Sequence, residues 1–412
     1  MKNKRRFLIS ILIFCFCLIS LIIINLKSQN NINTTEQNAD YKIPKVYFEG
    51  NIENMNTKKD ERKIIIKYES NEQNFKTFAK IKIQGTSSLN YEKKNYTINL
   101  YKDKFYQEKN PIDVKWGEQS KYCLKANWID KTHARNIITA QIASDIQKKY
   151  NVLNDTPNNG VIDGYPVEIY INGKFLGLYT WNIPKDAWMF NMNENENNNI
   201  VFSNEDWYDA NLFKDKATYD TYSIETGKEN NKSLKKLNRL ITFIKDSNDE
   251  EFKSNIEEYI NLDAAINYFI IAEVAQLIDN VAKNMLLITY DGNVWYPTLY
   301  DLDTSWGTMY DGLSTLDYNV NTSMEASELW YKLEKNYKKE IAIRYFELRK
   351  SILTKENIMK KFNEFQKLIP EESFEKEIAQ WKNIPGYDYK QIEEFLNIRL
   401  PLIDKIMTER LK

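Results

Sequence analysis

Residues Leu277 to Gly307 read LIDNVAKNMLLITYDGNVWYPTLYDLDTSWG. Two apolar, strand-like runs flank Asp291-Gly292, a dipeptide that favours a two-residue hairpin loop because both positions tolerate positive φ. Such a loop pairs Tyr290 with Asn293 and, counting back along the ladder, sets Asn284 opposite Leu299, Asp301 opposite Ala282 and Asp303 opposite Asn280. Side chains alternate across a strand, so Asn284, Leu299, Asp301 and Asp303 are predicted to project to one face, beside the loop that holds Asp279. Three carboxylates and an amide packed together repel one another unless a proton or a cation offsets them. Oxygen-only ligands of this kind suit Mg²⁺ or Mn²⁺, which keep several waters and share their coordination with substrate phosphates. Taken singly, Asp279 and Asp303 would read as helix or turn caps. Their density makes Asn284, Asp301 and Asp303 candidate metal ligands.

Working outward, Leu262 to Leu277 is apolar nearly all round and is predicted to be a central buried helix. Apolar residues at three- and four-residue spacing predict further helices over Ser233–Ile244, Met324–Ile352, Ile358–Leu368 and Tyr389–Met407. The chain before them reads differently. Val46–Phe48, Ile64–Tyr68, Phe78–Ile83, Tyr96–Tyr101, Val167–Ile171 and Phe175–Thr180 have strand patterns, interrupted by one helix over Thr132–Tyr150. Asn172-Gly173 joins the last two strands as a hairpin turn. Met192 to Asn199 is a polar, low-complexity surface loop. The class expected is α+β, with a β-rich lobe over 43–183 and a mainly helical lobe over 184–412.

Composition narrows the chemistry. Among 412 residues, 57 Lys and Arg balance 58 Asp and Glu, so no basic surface of the kind that binds nucleic acid is implied. One His and three Cys exclude zinc clusters and leave catalysis to carboxylates. The chain opens with Lys2, Lys4, Arg5 and Arg6, and then Phe7 to Leu26 carries no charge, enough to span about 30 Å as a helix. No Ala-x-Ala-like exit follows, so residues 1–27 are expected to be a cytoplasmic tip and uncleaved membrane anchor, with Cys15 and Cys17 in lipid and the folded part extracytoplasmic. Residues 28–42 read as a flexible linker. Cys123 remains as the one exported thiol, a small buried apolar residue in function.

Asp279 and Asn284 have the Asp-x-x-x-x-Asn spacing of a protein-kinase catalytic loop, in which Asp orients the acceptor hydroxyl and Asn binds metal. No His-Arg precedes Asp279, and no Phe-Gly follows Asp301 or Asp303. Such a site needs a lysine for the phosphates. In KKNYTINL, Lys94 shares a face with Tyr96, Ile98 and Leu100, so it is predicted to point inward, toward an anion, unless it snorkels from the strand end. The preceding Gln84-Gly85-Thr86-Ser87-Ser88 turn is rich in donors, which makes Gly85, Ser87 and Ser88 candidate phosphate contacts. The reading requires Lys94 to stand close to Asp279, Asn284 and Asp303.

From about Ile43 to Thr408 the chain resembles the CotH kinase family, the spore coat protein H-like proteins. The resemblance rests on Gly85-Thr-Ser-Ser88 followed by Lys93-Lys94-Asn95-Tyr96, on Leu124-Lys-Ala-Asn127 with Asp130, Thr132, Arg135 and Asn136, on Glu168 to Gly177, and above all on Asp301-Leu302-Asp303 to Gly307. It implies a two-lobed, kinase-like fold and a secreted or cell-surface atypical protein kinase that uses ATP and divalent metal to phosphorylate serines of coat proteins. By position, Lys94 would hold the nucleotide phosphates, Asp279 would orient the acceptor hydroxyl, and Asn284 with Asp301 or Asp303 would bind metal. Arg135 would pair with a phosphate or a carboxylate of the site, or form an ordinary helix salt bridge. The chain departs from the family at Gln84, commonly Arg, and at Trp181-Asn182-Ile183, where an acidic residue is usual.

Two other classes fit parts of this pattern. Asp301-x-Asp303 also suits a metal-dependent glycosyltransferase, although an antiparallel hairpin before the motif is unlike the parallel α/β context of sugar-nucleotide enzymes. An anchored adhesin with a degenerate kinase-like fold would keep the architecture and lose the nucleotide. An extracytoplasmic kinase also needs a phosphoryl donor where ATP is scarce.

Overall fold

The computed structural model describes residues 43–205, 212–322, 324–386 and 388–412, without the side chain of Ser87. The predicted tip, span and linker, residues 1–42, lie outside the described residues. Among the described residues no helix is long and apolar enough to cross a membrane. The described residues form one compact unit.

The β-rich part is a closed barrel. Its strands are β1 (Lys45–Glu49), β2 (Glu61–Glu69), β3 (Asn74–Gln84), β4 (Asn95–Tyr101), β7 (Lys121–Lys125), β8 (Gly164–Ile171) and β9 (Lys174–Asn182), in the order β1-β2-β3-β4-β7-β9-β8. A two-stranded ribbon of β5 (Ile112–Asp113) and β6 (Glu118–Gln119) stands between β4 and β7 in the chain. Period-two alternation sends Ile64 and Ile66, Ala79 and Ile81, Ile98 and Leu100, and Tyr122 and Leu124 into the barrel interior. The residues between them face outward. Asn172 and Gly173 both adopt positive φ, 48° and 83°, as the hairpin reading required.

The remaining elements build a larger core. A second sheet has the order β11 (Tyr222–Thr226), β10 (Ile200–Asn204), β12 (Met285–Thr289), β13 (Tyr296–Leu299). Around it pack α1 (Arg135–Lys149), α2 (Asn231–Asp246), α3 (Asp249–Asn255), α4 (Leu262–Ala275), α5 (Glu328–Leu348), α6 (Lys355–Lys367), α7 (Glu371–Gln380) and α8 (Tyr389–Leu411). Ile266, Phe269, Ile270, Ile271 and Val274 of α4 are all buried, as a helix apolar on every side must be, and each stabilises the fold by roughly 1.5–3 kcal/mol. α1 lies between strands in the sequence, yet its Ile137, Ile138, Ile142 and Ile146 join this helical core rather than the barrel interior. The mixed α+β class and the β-rich N-terminal region are therefore present, with α1 serving the other part.

The hairpin differs from its predicted register by one residue. Met285, not Asn284, pairs with Leu299, and Ile288 pairs with Tyr296. The loop is longer than two residues because the Asp291 carboxylate accepts hydrogen bonds from the backbone N–H of Asn293 (2.7 Å) and Val294 (2.9 Å), which closes a wider turn around Gly292.

Candidate active site

A cleft of about 870 Å³ lies between the outward face of β3, β4 and β7 and the loops flanking β12 and β13. Tyr122 and Leu124 turn inward on β7, so Lys121, Cys123 and Lys125 turn outward and line the cleft. Lys125 is 7% exposed, and its Nζ lies 2.9 Å from Asp301 Oδ1 and 5.4 Å from the centre of the Tyr300 ring. Burial pushes its amine down, but Asp301, Tyr300 and Asp303 outweigh that and hold it above the usual lysine range. Lys185 also stands over that ring, 4.7 Å from its centre, and pairs with Glu225 at 2.7 Å.

The acidic wall is built by interrupting the hairpin. Asn284 and Asp301 adopt left-handed φ of 61° and 55°, so neither continues the pleat. Asn280 ties these turns together, its Nδ2 donating to the carbonyls of Tyr300 (2.9 Å) and Asn284 (3.2 Å). Asn280 is itself held by Tyr268, whose hydroxyl donates to its carbonyl at 2.5 Å. The segment after Asp301 hangs from α1: Leu302 N–H donates to Asn136 Oδ1 (2.9 Å), and Arg135 Nη1 donates to the Ser305 carbonyl (2.9 Å). Asp279, Asn284, Asp301 and Asp303 thus line one cleft, although by two left-handed residues and not by strand alternation.

Crowding separates the three acids. Burial raises the Asp301 carboxyl, but Lys125 beside it, with Lys185 and Lys283, holds it below the ordinary carboxylate range. Asp303 is pushed up to about 8 by burial and by Asp301, with Asp279 adding to the effect. Asp279 is also raised, first by burial and then by Asp301, while a hydrogen bond from Thr304 Oγ1 (3.3 Å) and the charge of Lys283 oppose this. A cation between them would relieve what Asp301 and Asp279 impose on Asp303. Among the described residues no three His, Cys, Asp or Glu side chains are grouped to hold a metal. Two carboxylates and an amide fit Mg²⁺ or Mn²⁺, which take water and phosphate oxygens for their other positions.

Two of the residues expected here are elsewhere. Lys94 does not face the cleft. β4 begins one residue later, and the Lys94 amine donates to the carbonyls of Leu89 (2.7 Å) and Tyr91, fastening the turn that covers the cleft. Its neighbour Lys93 is the buried one, paired with Glu377 of α7 at 2.5 Å and bonded to the Ala126 carbonyl at 2.9 Å. Arg135 is fully buried away from the cleft, bound to Asp130 (3.2 Å), to the 305–306 backbone and to Gln391 Oε1 (2.6 Å), so it braces the acidic segment from behind and does not line the cleft.

The covering turn is where it was expected. Gln84, Gly85, Thr86 and Ser88 line the cleft, and Gln84 Nε2 donates to the Tyr300 hydroxyl (3.0 Å). Gly85 has φ of +104°, and a side chain there would overlap Ser88 Oγ, so the turn depends on glycine. The side chain of Ser87 lies outside the described residues. Sequence reasoning missed Lys125, Lys185 and Tyr300, although the Lys-x-Cys-x-Lys alternation in Lys121–Lys125 carried the signal.

A family model described as CotH kinase protein matches residues 81–402, which takes in the covering turn, Lys125 and the whole acidic segment. The chain belongs to the CotH kinase family. No curated protein matches it. Membership brings a kinase-like function, consistent with a cleft in which one lysine meets a ladder of acids.

Proposed function

We propose that this CotH kinase family member transfers a phosphoryl group from ATP to a protein hydroxyl, most simply a serine. The observation that carries the reading is the Lys125–Asp301 pair at 2.9 Å in a cleft shared with Asp279, Asn284 and Asp303. A divalent ion held by Asn284, Asp301 and Asp303 would supply charge neutralisation at the phosphates. Lys125 takes the role first assigned to Lys94 and meets phosphate oxygens as a point charge. Gly85 and Ser88 present the covering turn to them. Asp279 holds the acceptor O–H in line and accepts its proton as the new O–P bond forms and the bond to the departing diphosphate breaks. Its raised carboxyl is suited to taking that proton. The substrate belongs among coat or cell-surface proteins, and the Phe7–Leu26 span would place the catalytic part outside the membrane.

The test is transfer of labelled γ-phosphate to a serine-rich acceptor protein, together with melting of the protein in Mg²⁺-ATP and in Mn²⁺ with a UDP-sugar. Kinase function requires labelling that Asp279→Asn abolishes and stabilisation by the adenine nucleotide. Stabilisation by the UDP-sugar alone would assign Asp301-x-Asp303 to glycosyl transfer, and no response to either would leave an adhesin.

A further inference from the structure

The cleft opens onto aromatic rings that phosphoryl transfer itself does not use. Tyr91 and Tyr310 both line it, and the Tyr91 hydroxyl donates to the Tyr310 carbonyl at 3.4 Å. Burial, then Asp303, Asp301, Asp279 and Asp311, push the Tyr91 hydroxyl up to about 12, so this ring stands in the field of the acids. From there the rings run out of the cleft. Tyr91 stacks on Trp128 with centres 6.1 Å apart, and Trp128 meets Trp381 edge-on, also at 6.1 Å. Tyr310 is 62% exposed, and the other three are half-buried.

Backbone contacts from separate segments fix this track. The Lys94 amine holds the Tyr91 carbonyl, and Trp381 Nε1 donates to the Leu176 carbonyl (2.8 Å). The turn that carries Tyr310 is closed by the Met309 N–H on the Ser314 carbonyl (3.0 Å) and by Asp311, whose carboxylate accepts the N–H of Leu313 (2.9 Å) and of Ser314 (2.9 Å). That turn lies on the residue after Trp128: a Cβ at Gly312, φ +66°, would stand 2.8 Å from the Ile129 carbonyl oxygen. Rings held in place before binding lose little freedom when a partner covers them.

The form of the track selects its occupant. A nucleoside base would cover one ring, whereas Trp128 and Trp381 lie beyond the cleft lining. Centres 6.1 Å apart match the rise of two residues in an extended polypeptide, roughly 6.5 Å, which is the spacing of side chains on one of its faces. The track also begins beside Asp279, the residue that meets the acceptor hydroxyl, and the acids around Tyr91 disfavour Asp or Glu next to that hydroxyl. We propose that the acceptor docks as an extended segment with apolar side chains at alternate residues on one side of its serine, the nearer on Tyr310 and Tyr91 and the next on Trp128. This acceptor class rests on the kinase reading of the cleft.

The probes are synthetic peptides with one serine and phenylalanine at the second and fourth residues before it or after it, compared with alanine or glutamate at the same places. Transfer from Mg²⁺-ATP by the full chain should favour one phenylalanine peptide over its alanine counterpart by about tenfold in kcat/KM, with the glutamate peptide poorest. Tyr310→Ser should raise the KM for that peptide about fivefold with the KM for ATP unmoved, and Tyr310→Phe should restore it. Binding of the same peptides, carrying a fluorophore, is read by anisotropy without ATP. Transfer with no preference for phenylalanine overturns the docking track and leaves the kinase reading. Binding that prefers phenylalanine and weakens in Tyr310→Ser, with no transfer to any peptide, keeps the track and sinks the kinase reading. Neither binding nor transfer overturns both. A raised KM for ATP in Tyr310→Ser, with the peptide KM unchanged, gives the ring to the nucleotide base and overturns the track.

Discussion

Replacing Lys125 with methionine keeps the side chain's length and removes its charge. The amine is 2.9 Å from Asp301 Oδ1, and Asp301 is the only one of the three acids held below the ordinary carboxylate range. Without Lys125 the Asp301 carboxyl loses the interaction that offsets its burial and rises toward Asp303. The folding cost is modest, since the Asp301 side chain keeps 34% of its surface in water and can take up a proton, so about 1–2 kcal/mol is expected, lowering Tm by about 2 °C. The effect on transfer is larger, because one preorganised charge aimed at a reacting phosphate is worth about 10²–10³ in rate. Labelled phosphoryl transfer and melting curves with and without Mg²⁺-ATP measure both. Lys94→Met, which only unfastens the covering turn, should retain most of the activity. A Lys125→Met protein with undiminished transfer, beside an inactive Lys94→Met protein, would refute the assignment of the phosphate lysine.

Asp303 gives a pH prediction. Its carboxyl is raised from 3.8 to about 8, so between those values the folded chain binds more protons than the unfolded chain, and stability falls as pH rises. Melting in EDTA should show that decline, and Asp303→Asn should flatten it and exceed wild type at the alkaline end. Arg135→Ala leaves Asp130, 1% exposed, without its buried partner, and should cost about 3–5 kcal/mol by urea unfolding. Gly85→Ala strains the covering turn at φ +104° and should weaken ATP affinity by calorimetry, with Ser88→Ala restoring part of it; unchanged affinity would remove the turn from the site.

Much of the architecture was legible because burial imposes period. The barrel strands from Val46 to Thr180 alternate one residue in and one out, and α4 is apolar all round because all its sides meet core. The elements missed had weaker signals. α7 (EESFEKEIAQ) buries little beyond Ser373 and Glu377, a polar pair no hydrophobic pattern reveals. Glu377 is buried only because Lys93, almost three hundred residues earlier, and the Leu178 N–H meet it. Such a contact is set by tertiary packing and leaves no local trace.

The lysine error and the placing of Asp301 and Asp303 by strand alternation have one cause, the extension of a strand past its end, whereas the one-residue register difference comes from the wider turn at Asp291. Alternation carried from Tyr96 back to Lys94 assumes that β4 is still running, and alternation carried from Leu299 on to Asp301 and Asp303 assumes the same of β13. Both strands stop first. Where β13 stops, the left-handed Asn284 and Asp301 turn the acids toward Lys125, at the end of β7, a strand that does run to the residue in question. A non-glycine residue at positive φ costs about 1 kcal/mol or more, and the two stand at two of the three residues assigned to metal. Asn and Asp bear that conformation with least strain, so side-chain chemistry and backbone shape select the same residue types here. Asn284→Ala should therefore lose metal affinity and destabilise the turn together, whereas Asn284→Gly should relieve the backbone and still lose the metal. A glycine variant that kept wild-type Mg²⁺ dependence would show that Asn284 serves the turn alone.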